Sequence, residues 1–388
     1  MDQTRMQLAL QERRQLQLHR NQAPLQPLTA GLLRGGGKDY LNFSGNDYLG
    51  LSQEPVVLKA LCDGASRYGL GSTGSPLVTG HQYPHQALCD ALCDWLGFDD
   101  VLLFSSGFAA NQCMLQTLAA SEERLLLDKL SHASLIDAAK HHAGGFKRFL
   151  HNDLSSLDKL LAQTLPAKAV VVTEGVFSMD GDSPDLAALS ALCQRHAAPL
   201  LLDDAHGLGV LGSEGRGSWQ QQGLTPASLQ ACMGNFGKAL GGSGGFVAGS
   251  ATVIDYLRQY GRHYIYSTAL SPALCVALRE AVLLCRQQSW RRERLAAHIQ
   301  LLQQLAKAEE LPMLASDSAI QPVLIGDTSQ ALAISDALKQ QGIWLGAIRP
   351  PTVAPGSARL RITLSAAHQP AQIRQLVQAL GQAYRGTH

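Results

Sequence analysis

Charged side chains are scarce in this chain. Asp, Glu, Lys and Arg make up 16% of its 388 residues, against about 25% in typical soluble domains. The net charge is only +1, whereas a nucleic-acid binder is expected to carry a basic patch or stripe. Aromatic residues are also few, and no apolar run approaches the roughly 18 residues that would indicate a membrane span. These shortages disfavour nucleic-acid binding and a membrane protein, and the 46% of hydrophobic residues excludes extensive disorder.

The cysteines and histidines show no pattern typical of metal binding. There is no CxxC pair and no HExxH, so we predict no metal site. Cys89 and Cys93 lie one helical turn apart in a Leu- and Ala-rich run, as core residues in a reducing compartment do. The first 20 residues predict a polar surface helix, because they lack the apolar centre of a secretory signal and carry Asp2 and Glu12. We therefore expect a cytoplasmic protein.

From about residue 100, short apolar runs alternate with amphipathic stretches. The predicted strands are VLLF (101–104), RLLL (124–127), KRFL (147–150), AVVVT (169–173), PLLLD (199–203), ACMG (231–234) and GGFVAG (244–249). Continuous apolar strands separated by helices are typical of a mostly parallel sheet that is covered on both faces. This part of the chain is therefore predicted to have an α/β fold.

The pattern changes after Gly249. Helices are predicted at 251–260 and, as one long segment, at 272–308, and the tail predicts strands at 319–326, 347–351 and 359–364 with helices to 341 and at 370–384. We divide the chain into an N-terminal helix and short strand segment (1–45), a large α/β domain (46–285) and a small α+β domain (286–388). Residues 1–45 are expected to pack on the small domain or on a partner subunit.

Ligands of open parallel sheets bind beyond the carboxyl ends of the strands, so the loops at those ends are informative. Residues 105–111 (SSGFAAN) open a helix whose free N–H groups suit a phosphate, although simple capping by Ser explains them equally well. Asp203 ends a buried strand and needs a partner there. A protonated ring nitrogen of a ligand would serve, and so would a helix cap or a salt bridge.

Two further loops carry chemically interesting side chains. Lys238 stands among glycines, and a desolvated lysine becomes a nucleophile that forms Schiff bases; a lysine that contacts phosphate is the alternative. His132 follows the strand at 124–127, where a lone histidine is more often a capping or packing residue.

Two nucleotide-binding motifs fail on their context. Residues 207–212 (GLGVLG) match GxGxxG, but DDAH separates them from the strand and SEGRG follows where a helix should begin. No acidic residue lies near positions 230–232 to hold a ribose, which disfavours a nicotinamide-dependent dehydrogenase. Lys238 does not lie in a Walker A loop, because Ala239 replaces the required Ser or Thr and Cys232 stands where the first Gly belongs.

Taken together, the loops resemble those of fold-type I enzymes that use pyridoxal 5'-phosphate (PLP), and within that group the α-oxoamine synthase family. The segments that carry the resemblance span most of the chain: NFSGNDYLGL (42–51), YGLGSTGSPLVTG (68–80), SSGFAAN (105–111), DKLSHASLIDA (128–138), TEGVFSMDGD (173–182), LLDDAHGLGVLGSEGRG (201–217), NFGKALGG (235–242) and YSTALSP (266–272). The tail at 347–368 is most similar to the branch of the family that serves biotin biosynthesis.

The resemblance implies roles for individual residues. Lys238 would hold PLP covalently and move the substrate Cα proton, Asp203 would pair with the ring nitrogen, and His132 would stack on the ring. The other implied contacts are His206 and Ser178 near the phenolic oxygen, Gly107, Phe108, Asn235 and, across a dimer interface, Thr268 at the phosphate, and Arg349, Thr352, Asn46 and Arg20 at the substrate. Asn235 replaces a threonine that is usual in the family, but an amide can also donate to phosphate.

The resemblance also implies a reaction and partners. The substrates would be L-alanine and a pimeloyl thioester, either pimeloyl-CoA or pimeloyl acyl carrier protein, and the site would lie at the interface of a homodimer. The nearest alternative is a relative that joins glycine to acetyl-CoA. A catalytically silent PLP-fold subunit is a third reading, which the presence of Lys238 and Asp203 disfavours.

Overall fold

The computed structural model describes residues 2–29, 31–164 and 168–387. The strands in these residues are β1 (Leu25–Thr29), β2 (Leu32–Gly35), β3 (Lys38–Asn42), β4 (Asp100–Phe104), β5 (Arg124–Asp128), β6 (Phe146–Phe149), β7 (Ala169–Glu174), β8 (Leu200–Asp203), β9 (Ala231–Asn235), β10 (Gly245–Gly249), β11 (Ile320–Gly326), β12 (Ile343–Trp344), β13 (Ala347–Ile348) and β14 (Ala358–Thr363). The helices are α1 (Gln3–Gln15), α2 (Pro55–Tyr68), α3 (Tyr83–Leu96), α4 (Gly107–Leu118), α5 (Ala133–Lys140), α6 (Leu154–Ala162), α7 (Leu186–Arg195), α8 (Ser218–Gln221), α9 (Ala251–Tyr260), α10 (Arg262–Ile265), α11 (Pro272–Gln287), α12 (Ser289–Ala308), α13 (Thr328–Gln340) and α14 (Pro370–Arg385).

The chain forms two compact units. The larger unit contains residues 46–178 and 182–293, and the smaller unit contains residues up to Gly45, Met179–Gly181 and Arg294–His388. The N-terminal segment thus groups with the C-terminal part of the same chain, which is one of the two arrangements expected from the sequence. None of the helices in the described ranges is long and apolar enough to cross a membrane.

The larger unit is built on a mostly parallel sheet, as predicted. Its order in the described residues is β4-β10-β9-β8-β7-β5-β6, and β10 runs antiparallel to both of its neighbours while the other pairs are parallel. The central strands are fully buried because helices pack on the sheet, which explains their continuous apolar sequences. The parallel strands therefore end at a common edge.

The smaller unit joins the two ends of the chain. Strands β1, β2 and β3 form a sheet to which β12 adds in parallel, and β11, β14 and β13 form a second sheet. The ring of Phe43 stacks on His368 at 4.3 Å. The His368 Nε2 donates to the carbonyl of Asn42 (2.9 Å), and its Nδ1 accepts from the N–H of Ser365 (3.1 Å). Burial lowers the pKa of His368 to about 4, so the imidazole is neutral near pH 7.

Some predicted elements were wrong in extent. The single helix expected at 272–308 is two helices, α11 and α12, because the backbone leaves helical geometry at Gln288 (φ −100°, ψ 70°). The strand expected at 347–351 is only the two residues of β13, because a diproline follows it and proline cannot donate to a sheet. The N-terminal helix ends at Gln15 rather than near Arg20. The strands of the larger unit agree with the predicted ones to within one or two residues.

Gly64 lies in the middle of α2, where glycine is normally unfavourable. A Cβ there would lie 3.0 Å from the Cα of Ala273 and 3.1 Å from its carbonyl oxygen in α11. We expect Gly64→Leu to lower the free energy of unfolding by about 1–3 kcal/mol through overpacking of this helix pair. Ala65→Leu is the control, since residue 65 is exposed. Urea denaturation checks this, and equal stabilities of the two variants would contradict it.

Candidate active site

The ends of β7 and β8 bring two buried carboxyl groups together. Glu174 and Asp203 are neighbours in the parallel register, with 3% and 5% of their surfaces exposed. The Asp203 Oδ2 accepts from the Asn111 Nδ2 (2.7 Å), and its Oδ1 accepts from the N–H of Ala205 (3.0 Å). A buried Asp203 was expected to need a partner, and the Asn111 side chain of α4 and the N–H of Ala205 in the turn after β8 donate to it.

Glu174 links this pair to His132. Its Oε1 accepts from the N–H of His132 at 2.5 Å. Burial raises the pKa of Glu174 well above its usual range, and the negative charge of Asp203 raises it further. Burial and the charge of Asp203 thus favour the protonated form of Glu174, whose Oε1 still accepts from the N–H of His132.

His132 caps the N-terminus of α5 through its ring. The Nδ1 accepts from the N–H of Ser134 (3.2 Å) and lies 2.8 Å from the Ser134 Oγ. Desolvation lowers the pKa of His132 below 6.5, the positive charge of Lys238 also lowers it, and Asp203 opposes both effects. His132 therefore has the capping role that is common for a lone histidine. The cap holds its ring where the charges of Asp203 and Lys238 act on it.

Lys238 lies in the loop between β9 and β10 and is half-buried. The loop is closed by hydrogen bonds from the N–H of Gly242 to the carbonyl of Phe236 (2.8 Å) and from the N–H of Gly241 to that of Lys238 (2.9 Å). The charge of Lys238 also acts on the pKa of Glu174. The lysine is thereby part of the same electrostatic cluster as Asp203, Glu174 and His132.

The first turn of α4 forms a small cradle. Ser106 caps it by accepting from the N–H of Ala109 (3.1 Å). A Cβ added to Gly107 would lie 2.6 Å from the Asn235 Nδ2, so the amide of Asn235 lies against the helix N-terminus. The Asn235 Oδ1 accepts from the N–H of Gly237 (2.7 Å), which leaves its NH2 group to donate. Phe108, the next residue of α4, is exposed.

His206 follows β8 and is held by Tyr48. The Tyr48 hydroxyl lies 2.6 Å from the His206 Nδ1 and 3.3 Å from the Asn46 Oδ1. The adjacent Asp204 is fully buried and accepts from both the N–H (2.8 Å) and the Oγ (2.7 Å) of Ser218. Burial raises the pKa of Asp204 to about 7, and the bonds from Ser218 oppose that shift. These contacts fix the turn that carries Asp203 and His206.

Ser178 and Thr268 lie on other loops of the larger unit. Ser178 is half-buried between β7 and α7. Thr268 is exposed, on a segment in which the N–H of Ala269 donates to the carbonyl of Gly74 (3.0 Å). Among the described residues, no hydrogen bond joins Thr268 to the Lys238 cluster, and its implied role through a dimer interface remains a prediction.

The remaining predicted residues lie together in the smaller unit. The Arg20 Nη2 donates to the Thr352 Oγ1 (2.9 Å). The Arg349 guanidinium donates through Nε to the carbonyl of Gln17 and through Nη2 to that of His19, both at 2.8 Å. The segment that follows α1 is thus bonded to the loop that carries Arg349 and Thr352. Binding of a carboxylate by Arg349 remains a prediction.

Several residues at this site were missed by sequence reasoning. Asn111, Glu174 and Tyr48 contact predicted residues but were not singled out, although all three lie in segments that carry the family resemblance. Glu174 is the last residue of β7 as Asp203 is the last of β8, and a carboxyl group at the end of a continuous apolar run was the available signal.

Comparison with known proteins places this arrangement in a family. Residues 38–380 match the family model described as "Aminotransferase class I and II". This chain belongs to the class I and II aminotransferase family. The architecture of this family member is fold-type I, with a mostly parallel sheet covered by helices and a smaller C-terminal α+β part.

Curated relatives of this aminotransferase-family chain are similar over nearly their full length. A protein of Yersinia enterocolitica named "8-amino-7-oxononanoate synthase" is 49% identical over 97% of this chain and 98% of its own. A protein of the same name from Aeromonas hydrophila is 47% identical, covering 96% of this chain and 93% of its own.

Solved structures give the same result for the fold. A serine palmitoyltransferase from S. paucimobilis, described as having a bound PLP–myriocin adduct, matches with a TM-score of 0.94 at 29% identity, over 98% of this chain and 97% of that chain. An 8-amino-7-oxononanoate synthase from Francisella tularensis matches with a TM-score of 0.78 at 29% identity, over 89% and 98%.

The residues of this family member fit PLP. Asp203 is a buried carboxylate that receives one hydrogen bond on each oxygen. Its oxygens can therefore also accept from a protonated ring nitrogen. The N-terminus of α4 and the Asn235 amide offer donors to a phosphate. Lys238 supplies an amine within the same charge cluster.

Gly107→Ala tests the cradle. Because the new Cβ would push the Asn235 amide away, we expect PLP to bind the apoprotein about tenfold more weakly, or ~1.4 kcal/mol. Fluorescence titration of the apoprotein with PLP measures this. Gly386→Ala is the matched control, since a Cβ at Gly386 makes only ordinary contacts. Unchanged affinity in Gly107→Ala would show that the phosphate lies elsewhere.

Proposed function

We propose that this protein is an 8-amino-7-oxononanoate synthase that depends on PLP. It would condense L-alanine with a pimeloyl thioester, on coenzyme A or on acyl carrier protein, and release CO2 and the thiol in biotin biosynthesis. The observation that carries the proposal is the 46–49% identity to curated proteins of that name over nearly the whole chain. The Lys238, Asp203 and His132 cluster supports it.

PLP, when bound, would supply an electron sink for the negative charge that develops at the amino-acid Cα. Lys238 would hold the cofactor and would take and return the Cα proton. Asp203 would keep the ring nitrogen protonated, and Asn111 orients the Asp203 carboxylate for that role. His132 would stack on the ring, and His206 and Ser178 would donate near the phenolic oxygen.

The phosphate would be held by the N–H groups of Gly107 and Phe108 and by the Asn235 amide. The residues proposed to bind the substrate are Asn46, Arg20, Arg349 and Thr352. Arg349 is suited to a carboxylate because a planar guanidinium can form two parallel hydrogen bonds. In the structure its Nε and Nη2 donate to backbone carbonyls, which fixes the guanidinium while only two of its five N–H groups are used in these bonds. Arg20 and Thr352 flank that loop.

A substrate panel tests the reaction. The holoenzyme is assayed with alanine or glycine and with pimeloyl-CoA, pimeloyl acyl carrier protein or acetyl-CoA. We expect kcat/KM for alanine with a pimeloyl thioester to exceed that for glycine with acetyl-CoA by at least about tenfold, because even a single methyl group in a shaped pocket discriminates by that much. Lys238→Ala should lose activity with every pair.

Two results would refute the assignment in different ways. A preference for glycine with acetyl-CoA would make the protein a 2-amino-3-oxobutyrate CoA ligase, the second candidate. A Lys238→Ala variant that retains activity would refute the PLP reaction altogether.

We also propose that the protein acts as a homodimer. Large apolar side chains are exposed on the loop at 69–83 and on the segment bonded to it: Leu70 (92%), Val78 (79%), Tyr83 (88%) and Tyr266 (71%). Soluble monomers rarely leave such patches uncovered. Thr268 lies on the same segment, which agrees with a role in the phosphate site of a partner.

We place the enzyme in the cytoplasm, which agrees with its free cysteines.

Val78→Glu tests the dimer. A charge in a desolvated contact is costly, so we expect this variant to elute as a monomer by size-exclusion chromatography with light scattering, and to bind PLP more weakly. Ala187→Glu, at an exposed position of α7, adds the same charge elsewhere and should remain dimeric. A Val78→Glu dimer of undiminished stability would place the interface on another surface.

A further inference from the structure

His151 lies between two carboxylates at the carboxyl end of the sheet. Its Nδ1 is 2.8 Å from the Asp128 Oδ1, and its Nε2 is 2.8 Å from the Asp182 Oδ2. Asp128 is completely buried, and His151 and Asp182 are about one-quarter exposed. The ring of Phe177 packs edge-on against His151 at 4.5 Å. None of these groups has a part in the reaction proposed above.

Both ring nitrogens of His151 lie 2.8 Å from a carboxylate oxygen, whereas the other polar neighbour of Nε2, the Asn152 Nδ2, is farther away at 3.3 Å. Asp128 also accepts from the N–H groups of Leu130 (2.8 Å) and Asn152 (2.9 Å), and the Asp182 Oδ2 accepts from the Asn152 Nδ2 (2.7 Å). Both carboxylates therefore act as acceptors. A neutral imidazole would direct a lone pair at one of them, whereas an imidazolium donates to both.

The His151 contacts connect the segments at the carboxyl ends of β5, β6 and β7. Asp128 ends β5, just before the turn to His132, and His151 follows β6. Asp182 closes the loop after β7, because its carbonyl accepts from the N–H of Phe177 (2.9 Å), and this loop contains Ser178. Asn152 adopts φ +52°, a left-handed value that asparagine tolerates better than most residues other than glycine, and its N–H and its side chain bond to different carboxylates.

We propose that His151, by bridging Asp128 and Asp182 as a cation, is a positioning residue that fixes the His132 turn relative to the Ser178 loop. The inference rests on the proposed function in one respect only, namely that His132 and Ser178 contact the cofactor. His151 itself touches neither cofactor nor substrate, so it acts through the two loops.

The electrostatics agree with this geometry. Burial lowers the pKa of His151, but the hydrogen bonds and charges of Asp128 and Asp182 outweigh that effect and raise it to about 10. The charged groups that most strongly raise the pKa of His151 are these two carboxylates. Since the pKa is about 6.5 in the unfolded chain, the stabilisation is complete below pH 6.5 and is lost as the pH rises towards 10.

His151→Gln tests the proposal, because glutamine can donate to only one carboxylate at a time. We expect the visible circular dichroism of bound PLP to fall by at least half and kcat/KM at pH 7.5 to fall about tenfold. In the apoprotein, the Tm difference from the wild type should be at least twice as large at pH 6.5 as at pH 9.5. The dichroism and Tm measurements need no substrate, so they stand even if the substrate assignment fails.

Asp182→Asn is the second variant and carries the test if His151→Gln does not fold. It keeps the shape of Asp182 but removes one charge, so we expect smaller losses in dichroism and activity, with a Tm difference that again narrows at pH 9.5. His196→Gln is the matched control, since His196 forms a 2.8 Å pair with Asp158 that is more exposed; its dichroism and kcat/KM should stay within twofold of the wild type.

Two outcomes would overturn the proposal. If the variants lower the Tm equally at both pH values, the bridge is not cationic. If they lower the Tm but leave the dichroism and kcat/KM at wild-type values, His151 has a purely structural role.

Discussion

The candidate site depends on compensation of the buried negative charge of Asp203. Its neighbour in the sheet, Glu174, is also a carboxylic acid, and two buried carboxylates at this distance cannot both ionise without strong repulsion. Burial and the neighbouring Asp203 raise the pKa of Glu174 and so favour its protonated form, while Asn111 and Ala205 donate hydrogen bonds to Asp203. Under the proposed function, a cationic ring nitrogen would compensate the remaining charge of Asp203.

The strands of the larger unit and the central residues of the site could be predicted from the sequence, because both have local signals. An apolar run followed by Asp203, or a Gly-flanked Lys238, is visible within a few residues. Asn111 and His151 could not be found in this way, because Asn111 bonds to a residue 92 positions away and His151 to carboxylates 23 and 31 positions away. The break at Gln288 was missed since no Gly or Pro marks it.

The residues proposed to bind the cofactor belong to the larger unit, where buried strands hold their loops. Of the residues proposed to bind the substrate, Asn46 also belongs to the larger unit, whereas Arg20, Arg349 and Thr352 belong to the smaller one. Side chains that tune the electronics of a cofactor must be held rigidly. Residues that recognise a substrate can change without disturbing them, which agrees with similar proteins that carry the names of different enzymes.

The antiparallel placement of β10 has a consequence for how this lineage can change in length. Parallel strands are joined through crossover helices, and such a helix can gain or lose residues at its solvent end while both strands keep their places. β9 and β10 are joined by a loop alone, closed on itself through Phe236, Gly242 and Gly244. An extra residue in this loop would break its hydrogen bonds and displace Lys238. Natural variation in chain length should therefore accumulate in the crossovers and leave this loop constant.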